Sequence, residues 1–148
     1  MITLGRMNTA IYRNMQAQIS GRLAGLDINS GQYDFFLVIS RKEGISQKQL
    51  SEYLYIGKST TAKAVKQLVA RGYVEKQRDT QDRRVEHLYL TQRGRDVAPL
   101  VQEMFQENLD VAARGLSRRE HQQLLELMER VLANLVAEGD RKGEQFHE

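Results

Sequence analysis

The stretch ISQKQLSEYLYIGKSTTAKAVKQLVARGYVEKQRDTQDRRVEHLYLT, Ile45 to Thr91, decides the fold. It reads as a short helix, a tight turn, a second helix, a strand, a charged hairpin and a returning strand. Ser46 has the oxygen to cap the first helix, and Gln49 three positions on completes a capping box. Leu50 and Leu54 face one way from that helix. The turn Tyr55 to Gly57 supplies a glycine where the backbone needs freedom. The second helix runs from about Lys58 to Arg71, and Gly72 stands as its C-terminal stop.

At about 100° per residue, Ala62, Val65, Leu68 and Val69 share the inward face of that second helix. Ser59, Thr60, Lys63 and Gln67 lie opposite, with Lys66 on the flank. Hydroxyls, an amide and ammonium groups without a carboxylate suit base edges and phosphates, and a major groove admits one helix of this width. A polar face alone is equally a solvated one, so the elements behind Gly72 carry the decision. Tyr73 to Arg78 and Val85 to Leu90 read as paired strands, where Leu88 and Leu90 alternate with His87 and Tyr89. The turn between them, RDTQDRR, is strongly charged. Behind a helix-turn-helix such a ribbon is a wing, able to take an arginine to the adjacent minor groove.

These residues resemble the MarR (multiple antibiotic resistance regulator) family of winged helix-turn-helix transcription factors. The resemblance rests on the L-x-x-x-L of Leu50 and Leu54, the hydroxyl cluster Ser59-Thr60-Thr61, and the exit Gly72-Tyr73-Val74. It is completed by the wing triplet Asp82-Arg83-Arg84 and the L-x-L-T of Leu88 to Thr91; the order and spacing of the pieces make it specific. The family likeness implies a mainly α fold with a small β wing, in which N- and C-terminal helices form a helical dimerisation region. One MarR-like domain is expected over 1–148, with a DNA-binding lobe at 28–91, dimerisation segments at 1–27 and 92–138, and a polar tail at 139–148. It further implies a triangular homodimer with intertwined termini, and that Arg84, last of its triplet, enters the minor groove. Effectors in this family sit where the dimerising helices meet the DNA-binding lobe, which by analogy places Arg13, Tyr33 and Phe36 near such a pocket.

Composition bounds the remainder. A chain of 148 residues is one ordinary domain with room for a core. No apolar run is long enough to span a membrane and no signal-peptide layout opens the chain, so a cytoplasmic location is expected. There is no cysteine, hence neither disulfide nor thiol switch. The net charge of +3 is small, yet unevenly spread: 41–95 carries 13 Lys and Arg against 6 Asp and Glu, and 96–148 carries 6 against 11. A basic middle and an acidic end suit a nucleic-acid reader joined to a segment with another task.

Outside the reading unit, Ile11, Met15, Ile19, Leu23 and Leu26 give the first helix, to about Leu26, an apolar stripe. Asn29 and Gln32 have capping-box spacing for a helix carrying Tyr33, Phe36, Leu37 and Ser40 on one side, which Gly44 closes. Thr91 is placed to cap a fifth helix towards Arg114, which Pro99 should kink or divide, and which Gly115 ends. Ser117 and Glu120 open the last helix. Its stripe of Leu124, Met128, Val131 and Leu135, widened by Leu125, Leu132 and Val136, exceeds what one neighbour covers. First and last helices are thus the expected dimer contact, which would set two reading helices about one turn apart on a near-palindromic site. Gly139 to Glu148 is expected to fray.

His87, His121 and His147 lack metal-site spacing, His87 reading as a strand surface residue. No phosphate-binding glycine loop or nucleophile motif occurs. Glu126, Glu129 and Asp110 look like solvated faces rather than an acid–base pair. Neither cofactor nor metal is expected, and the chain does not read as an enzyme. The partners expected are double-stranded DNA, a second copy and, by resemblance, a small-molecule effector, with no membrane. Two functions follow: a ligand-released repressor on a palindromic operator, or a helical protein-interaction module that has lost DNA binding. Cations on both the helix face (Lys63) and the wing (Arg83, Arg84) favour the repressor. There Thr60 and Lys63 are assigned base edges, Lys66 and Arg83 phosphates, and Asp82 the task of holding an arginine.

Overall fold

The computed structural model describes residues 1–145 and is mainly helical with a two-stranded antiparallel sheet. The order is α1 (Leu4–Leu23), α2 (Tyr33–Arg41), α3 (Gln47–Leu54), α4 (Lys58–Ala70), β1 (Val74–Arg78), β2 (Glu86–Leu90), α5 (Gln92–Ala112) and α6 (Arg118–Gln145). Two compact units result, Met1–Asn108 and the remainder from Leu109.

In the first unit α2 is the centre, with six of its nine residues, Tyr33, Phe35, Phe36, Leu37, Val38 and Ile39, buried. Phe36 and Ile39 are wholly enclosed, as are Leu50 from α3, Val65 and Leu68 from α4, and Leu88 from β2. Each such side chain contributes about 1.5–3 kcal/mol through lost contact with water. Phe36 meets the Tyr73 ring edge-on at 5.9 Å between centroids. That contact ties α2 to the point where α4 gives way to the sheet.

The sheet is a plain hairpin, with Val74 opposite Leu90 and Arg78 opposite Glu86. Leu88 and Leu90 point inward as their alternation requires. The backbone just before α3 joins it: Gly44 N–H donates to the Leu88 carbonyl (2.8 Å), Leu88 N–H to the Ile45 carbonyl (2.9 Å), and Ser46 bridges His87. Three residues are too few for a periodic signal, so this third strand-like segment was illegible in the sequence. Gly44 serves there at a φ of +93°, which glycine adopts without strain.

Several expectations change in the structure. α1 stops at Leu23, followed by turns rather than helix to Leu26; Ile19 and Leu23 are buried, but Ile11 is exposed. The Asn29–Gln32 capping box forms only in part. Gln32 Oε1 accepts from Asn29 N–H at 3.4 Å, but Asn29 Oδ1 turns to Gly31 N–H at 3.0 Å, and Gln32 itself is the N-cap of α2. The short asparagine prefers its own turn two residues on. Pro99 does not divide α5, which is continuous over 21 residues. One lost bond is outweighed by the burial of Ala98, Val101 and Met104 around it.

In the second unit Ser117 and Glu120 form a complete capping box. Hydrogen bonding to its carboxyl from Ser117, the backbone N–H first and then the side chain, holds Glu120 below the usual carboxylate range. The expected frayed tail is helix as far as Gln145, supported by the Arg141–Glu138 pair; 146–148, with His147, lie outside the described residues. Leu124, Leu125, Leu127, Met128, Leu132, Leu135 and Val136 are all exposed, Leu135 by 66%. Among the described residues no helix is long and apolar enough to cross a membrane.

One glycine is dictated by space. A Cβ on Gly94, at the start of α5, would lie 2.2 Å from the Tyr73 carbonyl oxygen. Gly94→Ala should destabilise the chain by about 1–3 kcal/mol, since the backbone must move. Gly21→Ala, in the last turn of α1 with nothing within 4 Å, should stabilise it by up to about 1 kcal/mol. Urea unfolding monitored by circular dichroism checks both, and equal midpoints for the two variants would overturn the steric argument.

Candidate nucleic-acid interface

The reading helix is set by its partner. α3 begins with the complete capping box Ser46–Gln49: Gln49 N–H donates to Ser46 Oγ at 3.1 Å, and Ser46 N–H to Gln49 Oε1 at 3.0 Å. Its end differs from expectation. The left-handed residue is Tyr55 (φ +54°), whereas Gly57 has φ −63° and is the N-cap of α4. Ile56 N–H then returns to the Ser51 carbonyl, closing the α3 terminus.

On α4 the buried face is Thr61, Ala64, Val65 and Leu68, while Ala62 is half-buried and Val69 exposed. The helix is thus rotated from the wheel drawn on its larger aliphatic residues, because Thr61 satisfies its hydroxyl locally on the Gly57 carbonyl (3.2 Å) and can be enclosed. Ser59, Thr60, Lys63 and Lys66 are exposed, as expected. Gln67 is half-buried, and its Oε1 accepts from Nε2 of the fully buried Gln32. Gln32 Oε1 in turn accepts from Arg71 Nη1. Neither Gln32 nor Arg71 carries a sequence signal for this role, since the chain joins positions 35 to 44 residues apart.

At the wing tip the three members of the triplet do different things. The Asp82 carboxylate accepts from the Arg84 side chain at two atoms, Nε (3.0 Å) and Nη2 (3.2 Å), and from its backbone N–H at 3.1 Å. These bonds, the side-chain ones first, hold Asp82 below the usual carboxylate range. For a depressed acid the pair is present above the unfolded pKa and is lost as pH falls through the folded one, so it is intact at neutral pH. The Arg84 side chain is 90% exposed although it is held. Arg83 is exposed and has no ion-pair partner among the described residues.

Between α3 and the wing lies a groove of about 460 Å³ whose charged lining is Lys48, Arg78, Arg83 and Arg84 with one carboxylate, Glu86. Lys48 and Arg78 were not singled out by the sequence reading; only the basic balance of the central stretch pointed to them. His87 is not a free surface residue. Its Nδ1 donates to the Gly44 carbonyl at 2.8 Å, and Nε2 lies 3.6 Å from Asp79. Among the described residues no set of three or more possible ligands is clustered to hold a metal.

The three effector positions differ in exposure. Arg13 is exposed on α1, Phe36 is wholly buried, and Tyr33 is 6% exposed and packs on Phe105 at 6.4 Å. Burial, then the adjacent Asp34 carboxylate, pushes the Tyr33 hydroxyl up. Burial likewise raises Asp34, and its bond to Tyr33 opposes that rise. A separate cleft of about 370 Å³ opens between the end of α1 and Arg71.

A capped helix, a reading helix with an exposed polar face and a charged β wing define a winged helix-turn-helix DNA-binding protein. A sequence model of the MarR family matches residues 25–85. An uncharacterised HTH-type transcriptional regulator of Bacillus subtilis (strain 168), YybA, is 31% identical over 110 residues, 74% of this chain and 73% of its own length. A MarR transcriptional regulator from Methanosarcina mazei Go1 is 32% identical with a TM-score of 0.78, over 90% of this chain and 96% of that one. A MarR-family regulator from Listeria monocytogenes, solved with a 26mer DNA, shares the fold at a TM-score of 0.86 and 23% identity, over 93% and 92%. The chain belongs to the MarR family of winged-helix transcriptional regulators.

The turn between α3 and α4 gives a direct check on local strain. Tyr55 is a non-glycine in the left-handed region and is 66% exposed, so its ring adds little packing. Tyr55→Gly should therefore stabilise the chain by about 0.5–1 kcal/mol. A lower urea midpoint for that variant would show that the tyrosine ring outweighs its backbone strain.

Proposed function

We propose that this regulator is a homodimeric repressor that reads a near-palindromic operator through α4 and the wing, and that a small molecule releases it. The observation that carries the reading is that the chain has both an Asp82–Arg84 clamp on its wing and an α4 face of exposed hydroxyls and cations. An arginine held in place before DNA arrives loses less freedom on binding, which supports a minor-groove role for Arg84. Thr60 and Lys63 are assigned to base edges, Ser59 and Gln67 to the same groove, and Lys66 and Arg83 to phosphates. The DNA held by the Listeria monocytogenes relative supports this use of the fold. The exposed α6 stripe supports pairing with a second copy, because so many contiguous apolar side chains are rarely left to water. Release by a ligand rests on the family resemblance.

Operator affinity measured by fluorescence anisotropy tests the reading. Lys63→Ala and Thr60→Ala should each weaken specific binding by about 1–3 kcal/mol and alter base preference, whereas Lys66→Ala should weaken all sequences alike. Unchanged affinity in both Lys63→Ala and Thr60→Ala would remove α4 from the groove.

For the wing, Arg84→Ala should cost most where the flanks are A·T-rich and the minor groove is narrow. Asp82→Ala removes a negative charge, so plain electrostatics expects tighter binding; the clamp expects weaker binding at low and moderate salt. Tighter binding would reduce Asp82 to a turn residue. Sedimentation should show a dimer that truncation before Ser117 abolishes, and a monomer of the full chain at micromolar concentration would overturn the pairing.

A further inference from the structure

The hydrogen-bond chain behind α4 has a direction that chemistry alone fixes. An arginine side chain holds only donors. The atom of Gln32 that meets Arg71 Nη1 must therefore be the amide oxygen, which also takes the Asn29 N–H at 3.4 Å. The other end of that amide, Nε2, can only donate. Its partner on Gln67 must then be oxygen, as observed. What Gln67 has left to offer is its NH₂ group, and with Gln32 only 1% exposed, no water competes to reverse the order. The start of the chain is itself anchored: Arg71 Nη1 donates to the Asp27 carbonyl at 3.2 Å, its Nε lies 3.7 Å from the Asp27 carboxylate, and Arg93 holds the Arg71 carbonyl at 2.6 Å.

We infer that the buried Arg71–Gln32 relay sets the polarity of Gln67, so that the reading helix presents an amide donor at this position and selects a base edge bearing an acceptor. This rests on the proposed placement of α4 in the major groove. A free glutamine reads adenine by donating to N7 and accepting from N6. With its oxygen turned inward to Gln32, Gln67 presents its NH₂ group, which donates to a purine N7, guanine O6 or thymine O4. A cytosine edge, which offers only the N4 donor, is rejected, and adenine loses its bidentate advantage over guanine. Gln32 and Arg71 are positioning residues in this arrangement, as neither faces the groove.

The experiment selects operators from a randomised duplex pool with the full chain, then measures affinity for every single-base variant of the winning site. Gln32→Glu keeps an oxygen for Arg71 but removes the donor, so Gln67 must turn its NH₂ inward and present oxygen. Preference at one base pair should then shift towards edges that bear a donor, cytosine N4 or adenine N6, and away from guanine and thymine, by about fivefold or more, with other positions unchanged. Gln67→Glu keeps the inward oxygen and has no donor to present; it should lose at least about fivefold on the acceptor-bearing pair and leave the relay in place. That second variant decides the matter should Gln32→Glu fail to fold in a thermal melt. An affinity loss shared equally by all sequences, or an unaltered profile in Gln67→Glu, would overturn the relay while Lys63→Ala still reports on the functional reading. A wild-type chain without base preference would overturn both.

Discussion

The close approach of Gly94 to the Tyr73 carbonyl fixes the exit of the reading helix against the entry of α5, and most of the DNA-binding unit is built around that junction. Tyr73 N–H closes the end of α4 on the Leu68 carbonyl, and its carbonyl accepts from Thr91 N–H at 3.1 Å. The Thr91 hydroxyl joins the Gly72 carbonyl and accepts from Gly94 N–H at 3.1 Å. On the other side, the Tyr73 ring packs on Phe36 and lies 4.4 Å beneath Arg93, while its hydroxyl takes the Asp27 N–H. One residue therefore sets where the helix stops, where the hairpin starts and how both lean on α2. Moving it would shift α4 and the wing together, which is why the approach leaves no room for a methyl group.

Much of this was legible because it is local. Capping boxes at Ser46 and Ser117, the stop at Gly72 and the inward alternation of Leu88 and Leu90 depend on neighbours within a few residues, and all appear in the structure. The two paired strands lie within one residue of their expected bounds. The family, taken from the order of these pieces, holds as well.

What escaped the sequence depends on distant partners or on choices among equivalent residues. Either Tyr55 or Gly57 could have taken the left-handed conformation; the helix end closing on Ser51 placed it on Tyr55. The inward face of α4 was drawn from its large aliphatics, and Thr61 displaced Val69 because its hydroxyl found a carbonyl one turn back. Gln32 looked like a capping residue and is one, but its burial beside Arg71 and Gln67 joins segments that no short-range pattern connects. Phe36, placed near a pocket by analogy, is wholly enclosed within this chain.

Gly57 opens α4 without any side chain to accept from the first amides; its carbonyl is what engages the helix, through Thr61. A helix that starts this way has its first turn weakly held, so its amides exchange with solvent faster than those after Thr61. Ser59 and Thr60 sit in that turn, so the groove contacts proposed for α4 begin on its least firmly held residues.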